Sequence, residues 1–109
     1  MTRLLLVGAT GLVGGHVLQQ ALADPAVLRV IAPTRRSLVP HAKLLNPLVD
    51  FERLPEDADW WAVDAVICTL GTTIRVAGSQ AEFYKVDHDH PLAVARLARL
   101  RGAQAYAFN

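Results

Sequence analysis

Cysteine is almost absent from this sequence. Cys68 is its single example, so an internal disulfide or a cysteine-based zinc site is excluded, and a reducing compartment fits. Neither sign of charge dominates. Eleven Lys and Arg against ten Asp and Glu leave +1, which gives no electrostatic footprint for nucleic acid or an anionic membrane. No apolar run approaches the roughly 20 residues needed to cross a bilayer. Glycine and proline are sparse, at 7 and 6 residues, so the chain is neither collagen-like nor a low-complexity linker. What remains is a sequence that is 52% hydrophobic and only 19% charged, a composition that buries a core. Its 109 residues allow one domain, residues 1–109, since autonomous domains usually run to about 100–150 residues. Met1-Thr2-Arg3 leads straight into a strand-like run, unlike a signal peptide, and the expectation is a soluble cytoplasmic domain.

Apolar runs and helical periods alternate along the chain. Leu4-Leu5-Leu6-Val7 is a continuous apolar run closed by Gly8, the pattern of a strand buried on both faces. Helical spacing follows at Leu12, Val13, Val17, Leu18, Ala21 and Leu22, and Asp24-Pro25 ends it. Leu28 to Ala32 reads as a second strand. Residues 37–47 have no clean period and carry Pro40 and Pro47, so they read as a loop, with Leu48 to Phe51 as a short third strand. Leu54 to Ala62 has weak helical character, and Ala65 to Leu70 is a fourth strand closed by Gly71. Ser79 and Glu82 form a capping-box pattern for a helix through Val86. Asp89 is a candidate cap for another helix, started near Pro91 and ended by Gly102, and Ala103 to Asn109 reads as a fifth strand. Such alternation predicts a three-layer α/β fold with a doubly wound parallel sheet in the order 3-2-1-4-5.

The chemistry concentrates in the first strand-to-helix turn, Gly8-Ala9-Thr10-Gly11-Leu12-Val13-Gly14-Gly15. Gly8 permits the tight turn, Gly11 admits a pyrophosphate to the backbone, and Gly14 lets the helix pack closely on the sheet. The unpaired amides and positive dipole end of the helix then face the phosphates, with residues 10–13 the expected cradle. A glycine turn that serves packing alone is the alternative, and the strand before it and the helix after it favour the dinucleotide. About 20 residues on, where an acidic residue would bind the ribose of NAD, the chain has Thr34-Arg35-Arg36. Two guanidiniums and a hydroxyl suit the 2′-phosphate of NADP, with NAD and solvated surface arginines as the alternative.

GATGLVGG, the Arg35-Arg36 pair, Val49-Asp50-Phe51, LGTT at 70–73 and VDHDHPLAVARLA at 86–98 together resemble the atypical short-chain dehydrogenase/reductases. The branch that contains the Tat-interacting oxidoreductase-like proteins and small bacterial relatives is the most similar. The resemblance extends over essentially the whole chain but corresponds to the N-terminal half of such an enzyme. It implies that Asp50 and Phe51 flank the adenine, and that Leu70, Gly71 and Thr72 run beside the nicotinamide ribose and pyrophosphate. A capped strand end at Asp50 and a simple turn at Gly71 are the structural alternatives.

The same resemblance implies hydride transfer between NADP(H) and a carbonyl or alcohol substrate, with a Ser, a Tyr and a Lys serving the carbonyl. Those residues are not found. Tyr84 is followed four positions later by His88, and Tyr106 has only three residues after it, so no residue is assigned as catalytic. Three readings follow: a fragment of a longer reductase, one half of a split enzyme completed by a C-terminal chain, or a non-catalytic NADP(H)-binding sensor or scaffold. An uncovered fifth strand also predicts a homodimer or aggregate, or a second polypeptide that completes the sheet, with a frayed fifth strand on a monomer as the alternative. His88-Asp89-His90 does not read as a metal site, because i and i+2 side chains on a helix do not face each other. Trp60 and Trp61 read as packing residues, and Cys68 as an inert buried thiol.

Overall fold

The computed structural model describes residues 2–51, 53–69 and 90–108. Five strands form one sheet: β1 (Thr2–Val7), β2 (Val27–Ile31), β3 (Leu44–Leu45), β4 (Ala65–Cys68) and β5 (Ala105–Phe108). Helix α1 (Leu12–Ala23) joins β1 to β2, a 3-10 turn at Asp59–Trp61 precedes β4, and helix α2 (His90–Leu100) precedes β5. The strand order is β3-β2-β1-β4-β5 and every pairing is parallel, as the alternation of the sequence predicts. The register aligns Val7 with Cys68, and Cys68 with Phe108, so these three strands finish level at their carboxyl ends.

Side chains of a strand point alternately to opposite faces, and that rule divides the core in two. Leu4, Leu6, Val30 and Ala32 pack under α1 with Leu18 and Ala21. Leu5, Val7, Ile31, Val66 and Cys68 face the other way, toward Val94, Leu97 and Ala98 of α2 and toward Trp61. Burial on both faces explains why β1 reads as an unbroken apolar run. Leu5, Leu6 and Val7 have no exposed surface.

Three segments differ from the sequence expectation. The third strand is not Leu48–Phe51 but Leu44–Leu45, inside the stretch read as loop, and position 48 contributes one isolated bridge to Thr34. Pro47 is the reason. Val30 N–H donates to Lys43 O at 2.9 Å, Ala32 N–H to Leu45 O at 2.8 Å and Thr34 N–H to Pro47 O at 3.1 Å. The return bond in this parallel pattern would run from the N–H of residue 47 to Ala32 O, and proline has no N–H to give. The amide Nδ2 of Asn46 donates to Ala32 O instead, at 2.6 Å. The pairing resumes with Val49 N–H on Thr34 O at 2.8 Å.

The helix expected over Leu54 to Ala62 is reduced to the 3-10 turn. Pro55 disfavours a helical Leu54, and the segment is shaped by the docking of Trp61, which is fully buried and donates its indole N–H to Pro55 O at 2.7 Å. Trp60 packs beside it with ring centroids 4.3 Å apart, so the pair is packing material as expected.

The fifth strand is shorter than Ala103–Asn109. Ala103 and Gly102 close α2, with Gly102 at φ +104°, Gly102 N–H on Arg99 O and Ala103 N–H on Ala98 O, both at 3.1 Å. That pair of bonds is a glycine-dependent helix stop. The helix expected from Ser79 and the cap at Asp89 lie outside the described residues.

Candidate functional site

The carboxyl ends of β1, β2 and β4 meet at one edge of the sheet, where ligands of open α/β sheets bind. Gly8 leaves β1 with φ +90°, a conformation that L side chains rarely adopt, and turns the chain toward α1. Gly11 N–H donates to Gly8 O at 3.1 Å and closes this turn. Gly11 is the N-cap of α1 and its O accepts the first helical bond from Gly15 N–H at 2.8 Å. Gly11 has no side chain with which to cap the helix, and among the described residues no side chain accepts from its first-turn amides. Thr10, Gly11, Leu12 and Val13 are all exposed around this end, and Leu12 is 82% accessible.

Gly14 is different from Gly11. It is buried, and a Cβ at position 14 would meet the backbone of Gly8 and the hydroxyl of Thr69, whereas a Cβ at Gly11 would be in ordinary contact at 3.5 Å. Packing therefore accounts for Gly14, as the sequence suggests. Among the described residues nothing demands a glycine at 11 on steric grounds.

Thr69 was not singled out by the sequence. Its hydroxyl donates toward Val7 O at 3.0 Å and Gly8 O at 3.2 Å, and its N–H donates to Val7 O at 2.8 Å. It ties the end of β4 to the start of the glycine turn. Leu70, Gly71 and Thr72, expected beside the nicotinamide ribose and pyrophosphate, lie outside the described residues.

The end of β2 presents Arg35 and Arg36 to solvent, and neither guanidinium has a hydrogen bond or ion pair among the described residues. Thr34 behaves otherwise. It is 3% exposed, its hydroxyl accepts from Asn46 Nδ2 at 2.8 Å and donates to Arg36 O, so it braces the turn from inside and is not offered to a ligand. Asn46, the partner missed by the sequence reading, also accepts from Leu38 N–H at 2.7 Å.

Asp50 is exposed, and its carbonyl accepts from Arg53 N–H at 2.9 Å. Phe51 is half-buried against the α2 side of the core and lines a pocket of about 230 Å³ with Leu54, Leu97 and the charged Arg53 and Arg96. Tyr106 donates its hydroxyl to Ala103 O at 3.1 Å. Tyr84 and the His88-Asp89 pair fall outside the described residues.

No family model matches the chain. It is similar to the mitochondrial protein fmp52 of Emericella nidulans, with 36% identity over 97% of this chain and 49% of that protein. It is likewise similar to the mitochondrial protein FMP52 of Eremothecium gossypii, with 37% identity over 92% of this chain and 45% of that protein. The chain thus spans about half the length of the curated relatives it matches. Among solved structures it resembles MoeE5 in complex with UDP-glucuronic acid and NAD, at a TM-score of 0.79 and 19% identity, covering 97% of this chain and 36% of that one. It also resembles uronate dehydrogenase from Agrobacterium tumefaciens, at a TM-score of 0.70 and 20% identity, covering 99% and 40%.

The fold is therefore a Rossmann-like one, shared with MoeE5 and uronate dehydrogenase. The relatives found by sequence are Fmp52 proteins and not Tat-interacting ones. Their names also overturn the cytoplasmic expectation, since the relatives are mitochondrial proteins of fungi. The composition and the solitary cysteine on which that expectation rested do not distinguish cytoplasm from a mitochondrial compartment. No helix among the described residues is long and apolar enough to cross a membrane.

Proposed function

We propose that this chain is the dinucleotide-binding half of a short-chain dehydrogenase/reductase-like oxidoreductase, and that its cofactor is NADP(H). The observation that carries the reading is the uncapped start of α1, set behind a glycine turn at the carboxyl ends of parallel strands. An anion placed there meets first-turn N–H groups with no side-chain cap among the described residues and the positive end of the helix dipole. The pyrophosphate rests at the amides of residues 10–13, of which the Gly11 N–H is already held by Gly8 O, with Gly11 leaving room for it. NAD in the structure of MoeE5 and the shared fold support a nicotinamide dinucleotide.

Arg35 and Arg36, exposed at the end of β2 where the adenosine ribose lies in such folds, select the 2′-phosphate by charge-assisted, forked hydrogen bonds. Asp50 and Phe51 flank the adenine, and Leu70, Gly71 and Thr72 follow the cofactor toward the nicotinamide. Hydride passes between this cofactor and a carbonyl or alcohol of unassigned identity. The acid that serves the substrate oxygen belongs to the part of the protein that the relatives have beyond their match to this chain, either in the same polypeptide or in a completing C-terminal chain. Mitochondrial residence is inferred from the named relatives.

Titrating NADP and NAD into the purified chain by calorimetry tests this. NADP should bind at least about tenfold more tightly, the value of one good charge-assisted contact, and Arg35→Ala with Arg36→Ala should erase the difference. Equal affinities for the two cofactors in the unaltered chain would overturn the NADP assignment.

The non-catalytic reading is favoured by one observation: the hydroxyl of Tyr106 is engaged by Ala103 O at 3.1 Å. On that reading the chain binds NADPH and does not consume it with any carbonyl compound. Steady NADPH oxidation by residues 1–109 alone would exclude it.

A further inference from the structure

We infer that Asn46 and Thr34 are positioning residues for cofactor choice: together they preset the turn that presents Arg35 and Arg36. This rests on the proposal that those arginines read the 2′-phosphate, and it assigns the specificity to a pair of residues that do not touch the ligand.

The turn runs from Thr34 to Leu38, and it is pinned at five points. Thr34 N–H is held by Pro47 O at 3.1 Å and Thr34 O by Val49 N–H at 2.8 Å. The buried Thr34 hydroxyl donates to Arg36 O, and Asn46 Nδ2 donates to that hydroxyl at 2.8 Å. Leu38 N–H closes the far side by donating to Asn46 Oδ1 at 2.7 Å. The turn is therefore pinned on either side of Arg35 and at the carbonyl of Arg36, while both arginine side chains extend into solvent with no partner among the described residues.

The chemistry explains why an asparagine is needed at 46. The side chain must donate twice, to Ala32 O and to Thr34 Oγ1, and accept once, from Leu38 N–H. A primary amide has two N–H bonds and a carbonyl, so one planar group meets the whole demand. Aspartate has no donor and leucine has neither function. The need arises from Pro47, which removes the backbone N–H that would otherwise satisfy Ala32 O. A proline just after the third strand is thereby turned into a rigid support for the neighbouring turn. Rigidity matters because arginine loses much conformational freedom when it grips a ligand, and a backbone ordered in advance removes part of that cost.

The test compares NADP and NAD binding to the full chain for Asn46→Ala, Thr34→Val and Thr34→Ser, with circular dichroism to confirm folding. Asn46→Ala and Thr34→Val should lower NADP affinity by about five- to tenfold and leave NAD within about twofold, since the loss falls on the arginine contacts alone. Thr34→Ser keeps the hydroxyl and should keep the original preference. Thr34→Val decides the matter alone if Asn46→Ala does not fold.

A preference for NADP that survives in folded Asn46→Ala or Thr34→Val, yet disappears in Arg35→Ala with Arg36→Ala, overturns the inference and leaves the arginine assignment standing. An unaltered chain with no preference for NADP overturns both. Parallel losses of NADP and NAD affinity also overturn it, because they show general damage to the fold.

Discussion

Gly14 is seated directly on Gly8: a Cβ at position 14 would lie 1.9 Å from the carbonyl oxygen of Gly8 and 2.6 Å from its carbon. Both atoms are backbone, so no rotamer change relieves the clash, and the helix must move off the sheet. Gly14→Ala should cost about 3 kcal/mol, the upper end for forcing a methyl into a packed site. A urea midpoint shift at constant slope would measure it.

Gly11 gives the opposite expectation. Among the described residues the nearest atom to a Cβ there is 3.5 Å away, and the φ of −79° suits any residue. Gly11→Ala should change stability by less than about 1 kcal/mol, while Gly11→Val should weaken both dinucleotides by tenfold or more, about 1.4 kcal/mol of lost phosphate approach. Calorimetric titration beside a melting curve separates the two effects. A Gly11→Val chain that binds as well as the original would place the phosphates elsewhere.

Thr69→Val removes the hydroxyl that donates toward Val7 O and Gly8 O and conserves the shape of the side chain. The expected loss is about 1 kcal/mol, and Thr69→Ser should recover most of it. Chemical denaturation of the three chains checks the order.

Lys43 reaches from the start of β3 to the far end of α1, where its Nζ donates to Asp24 O at 2.7 Å and to Ala21 O at 3.4 Å. A cation at a helix carboxyl end is favourable on dipole grounds as well. Lys43→Met retains the aliphatic stem and should destabilise by about 1 kcal/mol, less at high salt. Denaturation at two ionic strengths shows both features.

Ala105, Tyr106 and Ala107 of the edge strand β5 are exposed. An edge that no strand covers among the described residues invites pairing with other chains. Light scattering of the 109-residue chain should show a dimer or larger species, and a soluble monomer with β5 protected from hydrogen exchange would count against that.

The strand order was legible because β1, β2 and β4 are short apolar runs, each followed by a turn or helix signal, and doubly wound sheets leave little topological choice. The glycine turn was legible for the same local reason. The third strand was not, because its ladder passes through the side chain of Asn46, and that contact joins residues 14 apart in sequence. Thr69 escaped notice for a related reason. Its hydroxyl is an ordinary strand residue in the sequence and gains meaning from carbonyls 61 and 62 positions away. Thr34 shows the converse error: a hydroxyl in the right place for a ligand is spent on the turn itself.

Trp60 and Trp61 are the chain's two tryptophans, and they lie 4.3 Å apart at an interplanar angle of 32°. Two indoles so close and so tilted couple as chromophores, so the near-ultraviolet circular dichroism of this protein should be dominated by one asymmetric pair. The pair belongs to the α2 side of the sheet, whereas the glycine turn enters α1 on the other. The molecule thus holds an intrinsic optical probe of one layer alone. Loosening around α2 would extinguish the signal, while a change at the Gly8–Gly14 turn that leaves the sheet intact would be spectroscopically silent.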